Sequence, residues 1–403
     1  MINFCQNYHQ MSDTDRMFAR SQSKYVDGEP NLRIDFCSRL ARLLKIIWVT
    51  RAPYSTEGFR EFFIWSNMCS ENITNVPGIK VGHWTHEGAL TGCTVVLCGE
   101  NAVGGVDVRG SSPGTRETDI LGSDKRVEIV NAFMLSGGSA YGLAAADGVM
   151  KYLEEQGIGF KVGRNVVPIV PSAIIYDLAV GDSSVRPDSA AGYDACKSAT
   201  TGIFTQGNVG AGTGATVAKV LGSNRSIKGG LGSDSIRLPN GLTVGALVVV
   251  NAIGSIHDPH TGNLVAGPRS SDGSMASASE ILIAGNDIGE QSLGANTTIG
   301  VIATDATLTK SQANQLASSA HDGLALSIRP SHLIGDGDTI FAVATGGASH
   351  PDQEIADAHS LNRIIAAAVD CTSQAIVNAV RSATGVSGVP SVNEVHTSGS
   401  LGN

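Results

Sequence analysis

Short apolar runs alternate, from residue 73 onward, with longer stretches whose apolar residues recur at helical spacing. Apolar, β-branched runs bounded by turn residues are typical of buried strands. Such runs occupy residues 91–97, 104–108, 242–256, 299–305 and 339–345, and residues 166–180 carry a strand and loop pattern. The pattern therefore predicts a domain built on several buried strands.

Four stretches predict helices, namely residues 139–156, 187–200, 309–328 and 352–384, the last with a break. Thr309 and Gln312 have the spacing of a capping box at the start of the third helix. Because strands and helices do not follow a strict βαβ alternation, we expect an α+β fold in which sheets pack face to face under helical layers.

Residues 1–70 differ in composition from the rest of the chain. They hold 11 aromatic residues but only 2 of the 49 glycines, and residues 32–49 could form a basic amphipathic helix. We expect an atypical leader here, with a membrane-surface or partner-binding helix as the alternative. Residues 71–385 are expected to form the functional domain, and the Gly/Ser-rich residues 386–403 a flexible tail.

The composition of the chain argues against several classes of binding partner. The net charge of −9, without a basic run, argues against nucleic acid or an anionic membrane. No apolar run is long enough to span a membrane. The seven cysteines are odd in number and irregularly spaced, which favours free thiols in a reducing compartment, and hence a cytoplasmic location.

The most informative stretch is a small-residue turn, Gly294-Ala295, that leads through Asn296 into a strand headed by Thr297. A threonine hydroxyl is a poor nucleophile unless a base lies beside it. A cut before Thr297 would free an α-amino group with a pKa of about 8, which can take the hydroxyl proton. The same hydroxyl could make the cut by attacking the Asn296 carbonyl. The alternative is an ordinary loop-to-strand junction.

Four other polar residues could complete such a site. Asp336 and Asp338 lie two apart before a strand and could hold a threonine ammonium and hydroxyl, although Asp-Gly-Asp is most often a turn. Asn251 comes directly after the apolar residues 247–250, where we expect a buried strand to end, and could donate to an oxyanion or form a turn. Lys219, reached through a Gly-rich segment, is a candidate for a buried ammonium, against the alternative of a solvated surface charge.

Other motifs are better explained as turns or loops. Residues 110–114 match the G-x-S-x-G nucleophile elbow, yet Pro113 lacks the N–H that forms half of its oxyanion hole. Residues 210–215 fit a dinucleotide-binding pattern, but no apolar strand precedes them. The histidine pairs lack a second cluster at metal-binding spacing, and we expect neither metal nor cofactor. These pairs are His83 with His86 and His257 with His260.

Five collinear segments carry a resemblance to a known family. They are residues 76–83 (VPGIKVGH), 135–143 (LSGGSAYGL), 207–216 (GNVGAGTGAT), 296–299 (NTTI) and 335–339 (GDGDT). Together they resemble the L-aminopeptidase/D-esterase (DmpA-like) peptidase family of self-processing, N-terminal-nucleophile-type hydrolases. The resemblance implies an αββα sandwich like that of ornithine acetyltransferases. It also implies a precursor cut into an α chain ending at Asn296 and a β chain starting at Thr297, assembled into a homo-oligomer of four or more subunits.

The resemblance also implies roles for individual residues. Thr297 would be the nucleophile, Lys219 and Asn251 would line the site with Asn251 as oxyanion donor, and Tyr141 would contact the substrate. Asp336 and Asp338 would orient and tune the nucleophile. Serine-type members have Gly-Ser at the cut and a Ser/Glu pair later, whereas Asn-Thr with an Asp/Asp pair resembles the nylon-oligomer hydrolase branch.

The sequence therefore predicts an autoproteolytically activated aminopeptidase or amidohydrolase that acts on small peptides or amides. Three alternatives remain open at this point. They are an amidase for nylon-type ω-amino-acid oligomers, an acyltransferase on the same scaffold, and an uncleaved, non-catalytic scaffold.

Overall fold

The computed structural model describes residues 71–285, 295–346 and 355–399. Four predicted segments lie wholly or partly outside the described residues. They are the leader, Gly294 in the turn before Thr297, the start of the last helix at residues 352–354, and the end of the tail at residues 400–403. The strands are β1 Lys80–His86, β2 Thr91–Leu97, β3 Val103–Val108, β4 Thr115–Arg116, β5 Ala132–Ser136, β6 Phe160–Val162, β7 Asn165–Val167, β8 Ser172–Ile174, β9 Thr216–Val217, β10 Ile227–Lys228, β11 Gly230–Arg237, β12 Thr243–Asn251, β13 Ser255–His257, β14 Leu264–Ala266, β15 Thr297–Thr304, β16 Ile328–Arg329 and β17 Thr339–Ala344. The helices are α1 Ala145–Glu155, α2 Ser189–Lys197, α3 Ala278–Ala284, α4 Lys310–Ser327, α5 Ala358–Arg381 and α6 Val392–Gly399.

Two five-stranded sheets form the centre of the fold. The first has the order β1-β2-β5-β8-β4 and the second the order β11-β12-β15-β17-β3. In the second sheet β15 runs antiparallel to β12 and parallel to β17. Smaller sheets join β14-β13-β16, β9-β10 and β6-β7.

Alternating side chains separate the two faces of each sheet. In β12, Leu247 and Val249 point into a core shared with the first sheet, whereas Val248 and Val250 point into a second core. The Phe133 ring of the first sheet stacks on the Phe341 ring of the second, with their centroids 4.7 Å apart. The two sheets therefore pack face to face.

Helices cover the outer face of each sheet. Apolar residues of α4 and α5, among them Leu316 and Ile376, pack against the outer face of the second sheet. Residues of α1 and α2, among them Val149 and Ala195, pack against the first. The layers follow the order helix, sheet, sheet, helix, which confirms the predicted α+β, αββα sandwich.

Most predicted elements are present with small shifts in their ends. The capping box at Thr309 and Gln312 is confirmed at the start of α4. The predicted strand over residues 242–256 is divided after Asn251 into β12 and β13. Between them Gly254 packs closely on Pro330, where a Cβ would lie 2.2 Å from the Pro330 carbonyl oxygen. Residues 139–144 form a 3₁₀ turn before α1 rather than α-helix.

One prediction for the C-terminal part, the break in the last helix, was wrong. Within the described residues α5 has no break, since its buried face is continuous from Ile364 to Val380. The predicted tail contains α6, whose Val392 is buried. Ser391 and Glu394 cap this helix reciprocally, because each backbone N–H donates to the other's side chain.

The four cysteines in the described part of the chain carry free thiols, as the sequence predicted for them. They are Cys93, Cys98, Cys196 and Cys371. Of the helices in residues 71–285, 295–346 and 355–399, none is long and apolar enough to cross a membrane.

Candidate active site

Three strands of the second sheet, β12, β15 and β17, bring polar residues together at one end of the sheet. Asn251, the last residue of β12, pairs directly with Thr297, the first residue of β15. Asp338 immediately precedes β17, which lies on the other side of β15. Thr297 and Asn251 have the same parity as the inward-facing residues of their strands, so both side chains point between the two sheets.

The Thr297 hydroxyl lies against the peptide bond that precedes it. Its Oγ1 donates to the Asn296 carbonyl oxygen at 2.5 Å, and Thr297 is only 2% exposed. The Gly337 N–H donates to the same carbonyl oxygen at 3.1 Å. A nucleophile and a backbone donor therefore converge on a single amide, the pairing that acyl transfer needs.

Lys219 and Asn251 both donate hydrogen bonds to the carbonyl of Ala295, the residue before Asn296. The Lys219 ammonium donates to the Ala295 carbonyl at 3.1 Å and to both the backbone and side-chain oxygens of Asn251 at 2.9 Å. Asn251 Nδ2 donates to Ala295 at 3.1 Å and to the Tyr176 carbonyl at 3.2 Å. The Thr216 N–H donates to Asn251 Oδ1 and fixes the amide orientation. Asn251 thus contacts Ala295, whereas Gly337 contacts the Asn296 carbonyl.

Charged groups in the site have shifted pKa values. Burial lowers the pKa of Lys219 to about 7, and the charge of Asp336 opposes this shift. Burial and the neighbouring charge of Asp338 raise the pKa of Asp336 to about 7, while Lys219 acts in the opposite direction. A cation and a carboxyl group that both titrate near neutrality are characteristic of a functional site.

The two aspartates make different contacts. Asp338 Oδ1 accepts the Thr298 N–H at 2.6 Å, and Oδ2 accepts a hydrogen bond from His332 Nδ1 at 2.8 Å. Asp336 Oδ2 accepts a hydrogen bond from the Leu333 N–H at 2.7 Å. The backbone of Asp336 forms an isolated parallel β-bridge with that of Asn296. Asp338 therefore contacts the strand that Thr297 heads, whereas Asp336 closes the turn beside the Asn296 carbonyl.

Residues 110–114, which match the nucleophile-elbow pattern, support this turn from behind. The Ser112 N–H donates to the Asp336 carbonyl at 2.9 Å, and the Arg109 N–H donates to the Asp338 carbonyl at 2.7 Å. Ser112 Oγ donates to the Ile334 carbonyl. The segment is a structural turn, as its proline suggested.

Tyr141 is the one predicted site residue with no described contact to the others. Its side chain is 61% exposed, and the Arg186 guanidinium lies 3.9 Å above its ring. Its segment connects to the site indirectly, because the Gly138 N–H donates to Asp177, the neighbour of Tyr176. The structure thus groups Thr297, Lys219, Asn251, Asp336 and Asp338, and places Tyr141 on the surface.

Sequence reasoning missed two groups in this site. The Gly337 N–H is a backbone donor, and only its position between the two aspartates could have indicated it. His332 contacts Asp338 although six positions separate them, and the only signal was a histidine shortly before the Asp-Gly-Asp turn. His83, one of the dismissed histidines, bonds to Thr94 Oγ1 at 3.0 Å in the first sheet.

Comparisons with known proteins identify the family of the chain. Residues 71–393 match peptidase family S58. An uncharacterized aminopeptidase of Mycobacterium leprae (strain TN) is 44% identical over 341 residues, which make up 79% of this chain and 92% of the relative. A 6-aminohexanoate-oligomer endohydrolase of Kocuria sp. (strain KY2) is 33% identical over 273 residues, covering 67% of this chain and 73% of the relative.

Among solved structures, the L-aminopeptidase D-Ala-esterase/amidase of Ochrobactrum anthropi, described as a variant of the Ntn hydrolase fold, aligns with a TM-score of 0.61. The identity is 21%, and the alignment covers 80% of this chain and 88% of that chain. This likeness supports the sandwich fold. The family match over residues 71–393 and the relative at 44% identity show that the chain belongs to peptidase family S58, the DmpA-like peptidases, and is a hydrolase of peptide or amide bonds.

Proposed function

We propose that this chain cuts itself between Asn296 and Thr297 and then uses Thr297 as an N-terminal nucleophile. Its substrates in this proposal are small peptides or amides, whose N-terminal amide bond it hydrolyses as an aminopeptidase. The observation that carries the proposal is the convergence of Thr297 Oγ1 and the Gly337 N–H on the Asn296 carbonyl.

The self-cleavage balances with the groups present. Thr297 Oγ attacks the Asn296 carbonyl carbon, and the Gly337 N–H stabilises the negative oxygen that forms. The C–N bond then breaks, the nitrogen takes the proton that Oγ lost and becomes the Thr297 α-amine, and an ester remains. Water hydrolyses this ester to the Asn296 carboxylate and restores the Thr297 hydroxyl.

The mature enzyme would reuse the same groups. The new α-amino group lies on the same residue as the hydroxyl and can take its proton during attack on a substrate amide. Ionised Asp336 and Asp338 would hold the ammonium form in place. Departure of Ala295 would free Lys219 and Asn251 to donate to a substrate carbonyl or oxyanion. Water then clears the acyl-enzyme.

The direct test is the composition of the purified protein on a denaturing gel. We expect two fragments, Met1–Asn296 and Thr297–Asn403, and Edman sequencing of the smaller should begin Thr297-Thr298-Ile299. A single full-length band under all conditions, or a smaller fragment with another N-terminus, would contradict the proposed cut.

Changing Gly337 to alanine should slow the cut. A Cβ at Gly337 would lie 2.5 Å from the Ser112 carbonyl oxygen, so the turn must shift and its N–H must leave the Asn296 carbonyl. Losing one oxyanion donor costs about 10²- to 10³-fold. The rate is measured on uncut precursor made by cell-free translation. Gly99→Ala is the control, since a Cβ there meets nothing within 4 Å, and equal rates in both variants would rule out this role for Gly337.

A second candidate is hydrolysis of ω-amino-acid oligomers of the nylon type. It is favoured by the Asn-Thr junction with the Asp336/Asp338 pair and by the 33% identity with the Kocuria enzyme. Rates on aminoacyl anilides and on short 6-aminohexanoate oligomers would separate the two candidates. An added amine as acceptor would reveal an acyltransferase, if acyl transfer exceeded hydrolysis.

We also propose a cytoplasmic homo-oligomer, in line with the family resemblance. The described surface carries isolated large apolar side chains that a subunit contact would cover, such as Ile283 and Ile334 at 87% and 77% exposure. Light scattering on the purified protein gives the subunit count.

A further inference from the structure

His332 stands behind the site and has no role in the steps above. Its Nδ1 lies 2.8 Å from Asp338 Oδ2, and its backbone N–H lies 3.3 Å from the same oxygen. Since a carboxylate oxygen only accepts, Nδ1 carries the proton of this bond. The other oxygen of Asp338 accepts the Thr298 N–H. A short path of two hydrogen bonds therefore connects the imidazole with the strand that Thr297 heads.

The backbone at His332 is held in an uncommon conformation. Its φ angle of 59° lies in the left-handed region, which residues other than glycine occupy in only a few per cent of cases, histidine among the more frequent ones. This conformation turns the histidine back toward Asp338.

A second histidine fixes the ring from the other side. The His321 ring, fully buried in α4, meets the His332 ring edge to face with centroids 4.9 Å apart. His321 Nε2 donates to the Asp107 carbonyl oxygen at 3.1 Å, which anchors that ring to β3. Burial lowers the pKa of His321 to about 4, so this neighbour is neutral at physiological pH.

The charged groups around the pair are few. Asp338 and Asp336 face His332 from the turn before β17, and Arg109 and Asp107 stand behind His321 as an ion pair with a 3.0 Å contact. In the described part of the chain, His332 Nε2 and His321 Nδ1 have no hydrogen-bond partner. Among the described residues, the one polar contact of the His332 ring is therefore the one to Asp338.

We propose that His332 is a positioning residue for Asp338. By donating to Oδ2, it prevents the carboxylate from rotating and keeps Oδ1 on the Thr298 N–H, so that Thr297 is presented correctly. This inference rests on the proposed function. It adds that the Asp338 carboxylate works only when one imidazole N–H, itself held by His321, fixes its orientation.

Two substitutions at position 332 separate the effect of losing the imidazole N–H donor from the effect of disturbing the left-handed backbone. His332→Gly removes the imidazole, and glycine accepts the left-handed φ without strain. His332→Asn also suits that φ and places an amide N–H near the position of Nδ1. We expect His332→Gly to lower both the self-cleavage rate and kcat about 10- to 100-fold, the range of one hydrogen bond to a charged group, with little change in KM. His332→Asn should recover most of the loss.

Added imidazole provides an independent readout, since the His332 side chain keeps 20% of its surface exposed. We expect it to raise the rate of the glycine variant and leave wild type unchanged. Wild-type rates in folded His332→Gly, or equal losses in the glycine and asparagine variants without rescue, would overturn the proposal. If instead wild type itself is uncut and inactive, the proposed function fails, and the two failures are thus distinguishable.

Discussion

Replacing Thr297 by alanine is expected to leave the chain uncut and without amidase activity. In the described part of the chain, its Oγ is the side-chain hydroxyl that contacts the Asn296 carbonyl, and alanine supplies no substitute. Loss of a nucleophile in a hydrolase that uses one covalently costs about six orders of magnitude in kcat. Thr297→Ser keeps the hydroxyl and should therefore retain cleavage and turnover.

The neighbouring threonine provides a matched control. Thr298 is also fully buried, but it has the opposite strand parity, and its hydroxyl has no partner among the described residues. Thr298→Val removes that hydroxyl at constant shape and should leave cleavage unchanged. Gel analysis and turnover of the four proteins are the measurements. Cleavage before position 297 in the alanine variant would show that another group performs the attack.

The fold was largely predictable because the local pattern of apolar residues indicates which strands and helix faces are buried. All nine residues of β12 are buried, and its apolar run is correspondingly unbroken. The helix after Thr309 announced itself by its capping box. Next to the break that ends β12 at Asn251, Gly254 packs against Pro330, a contact between residues distant in sequence. Pattern alone does not contain such contacts.

The site was predictable to the extent that its chemistry resides in side chains on collinear motifs. Asn251 and Thr297 were both placed at strand ends, and the register of β12 with β15 brings them opposite each other. The Gly337 N–H is a backbone group, which no residue pattern distinguishes from any other. His332 contacts Asp338 from a backbone with a left-handed φ angle, and the sequence does not indicate that conformation at a histidine. Both omissions are thus consequences of backbone geometry.

Replacing Lys219 by methionine should impair cleavage and also change its pH dependence. The ammonium contacts Ala295 and Asn251, and its charge lowers the pKa of Asp336. Cleavage is expected to need charged Lys219 and ionised Asp336, so the wild-type rate should fall on both sides of a maximum near neutral pH. Methionine removes a charged donor to the Ala295 carbonyl, and we expect a loss of about 10- to 100-fold, the range of one hydrogen bond to a charged group.

The direction of the pH shift distinguishes a charge effect from a packing effect. Without the cation, burial and the charge of Asp338 still raise the pKa of Asp336, while the lowering effect of the Lys219 charge is lost, so the acid limb should move to higher pH. The alkaline limb, which reports loss of the Lys219 proton near pH 7, should disappear. The profile is measured as the cleavage rate of cell-free precursor between acid and alkaline buffers.

Lys228→Met is the matched control for this experiment. Lys228 is likewise buried and donates to three backbone carbonyls, but these belong to Gly212, Ala215 and Gly229. Burial lowers the pKa of Lys228 to about 7, and the charge that opposes this shift is that of Asp177, not of Asp336. We expect Lys228→Met to lower the melting temperature, since three buried acceptors lose their donor, and to leave the limbs of the pH profile in place. If both variants shift the acid limb equally, general destabilisation explains the shift, and the electrostatic coupling of Lys219 to Asp336 is excluded.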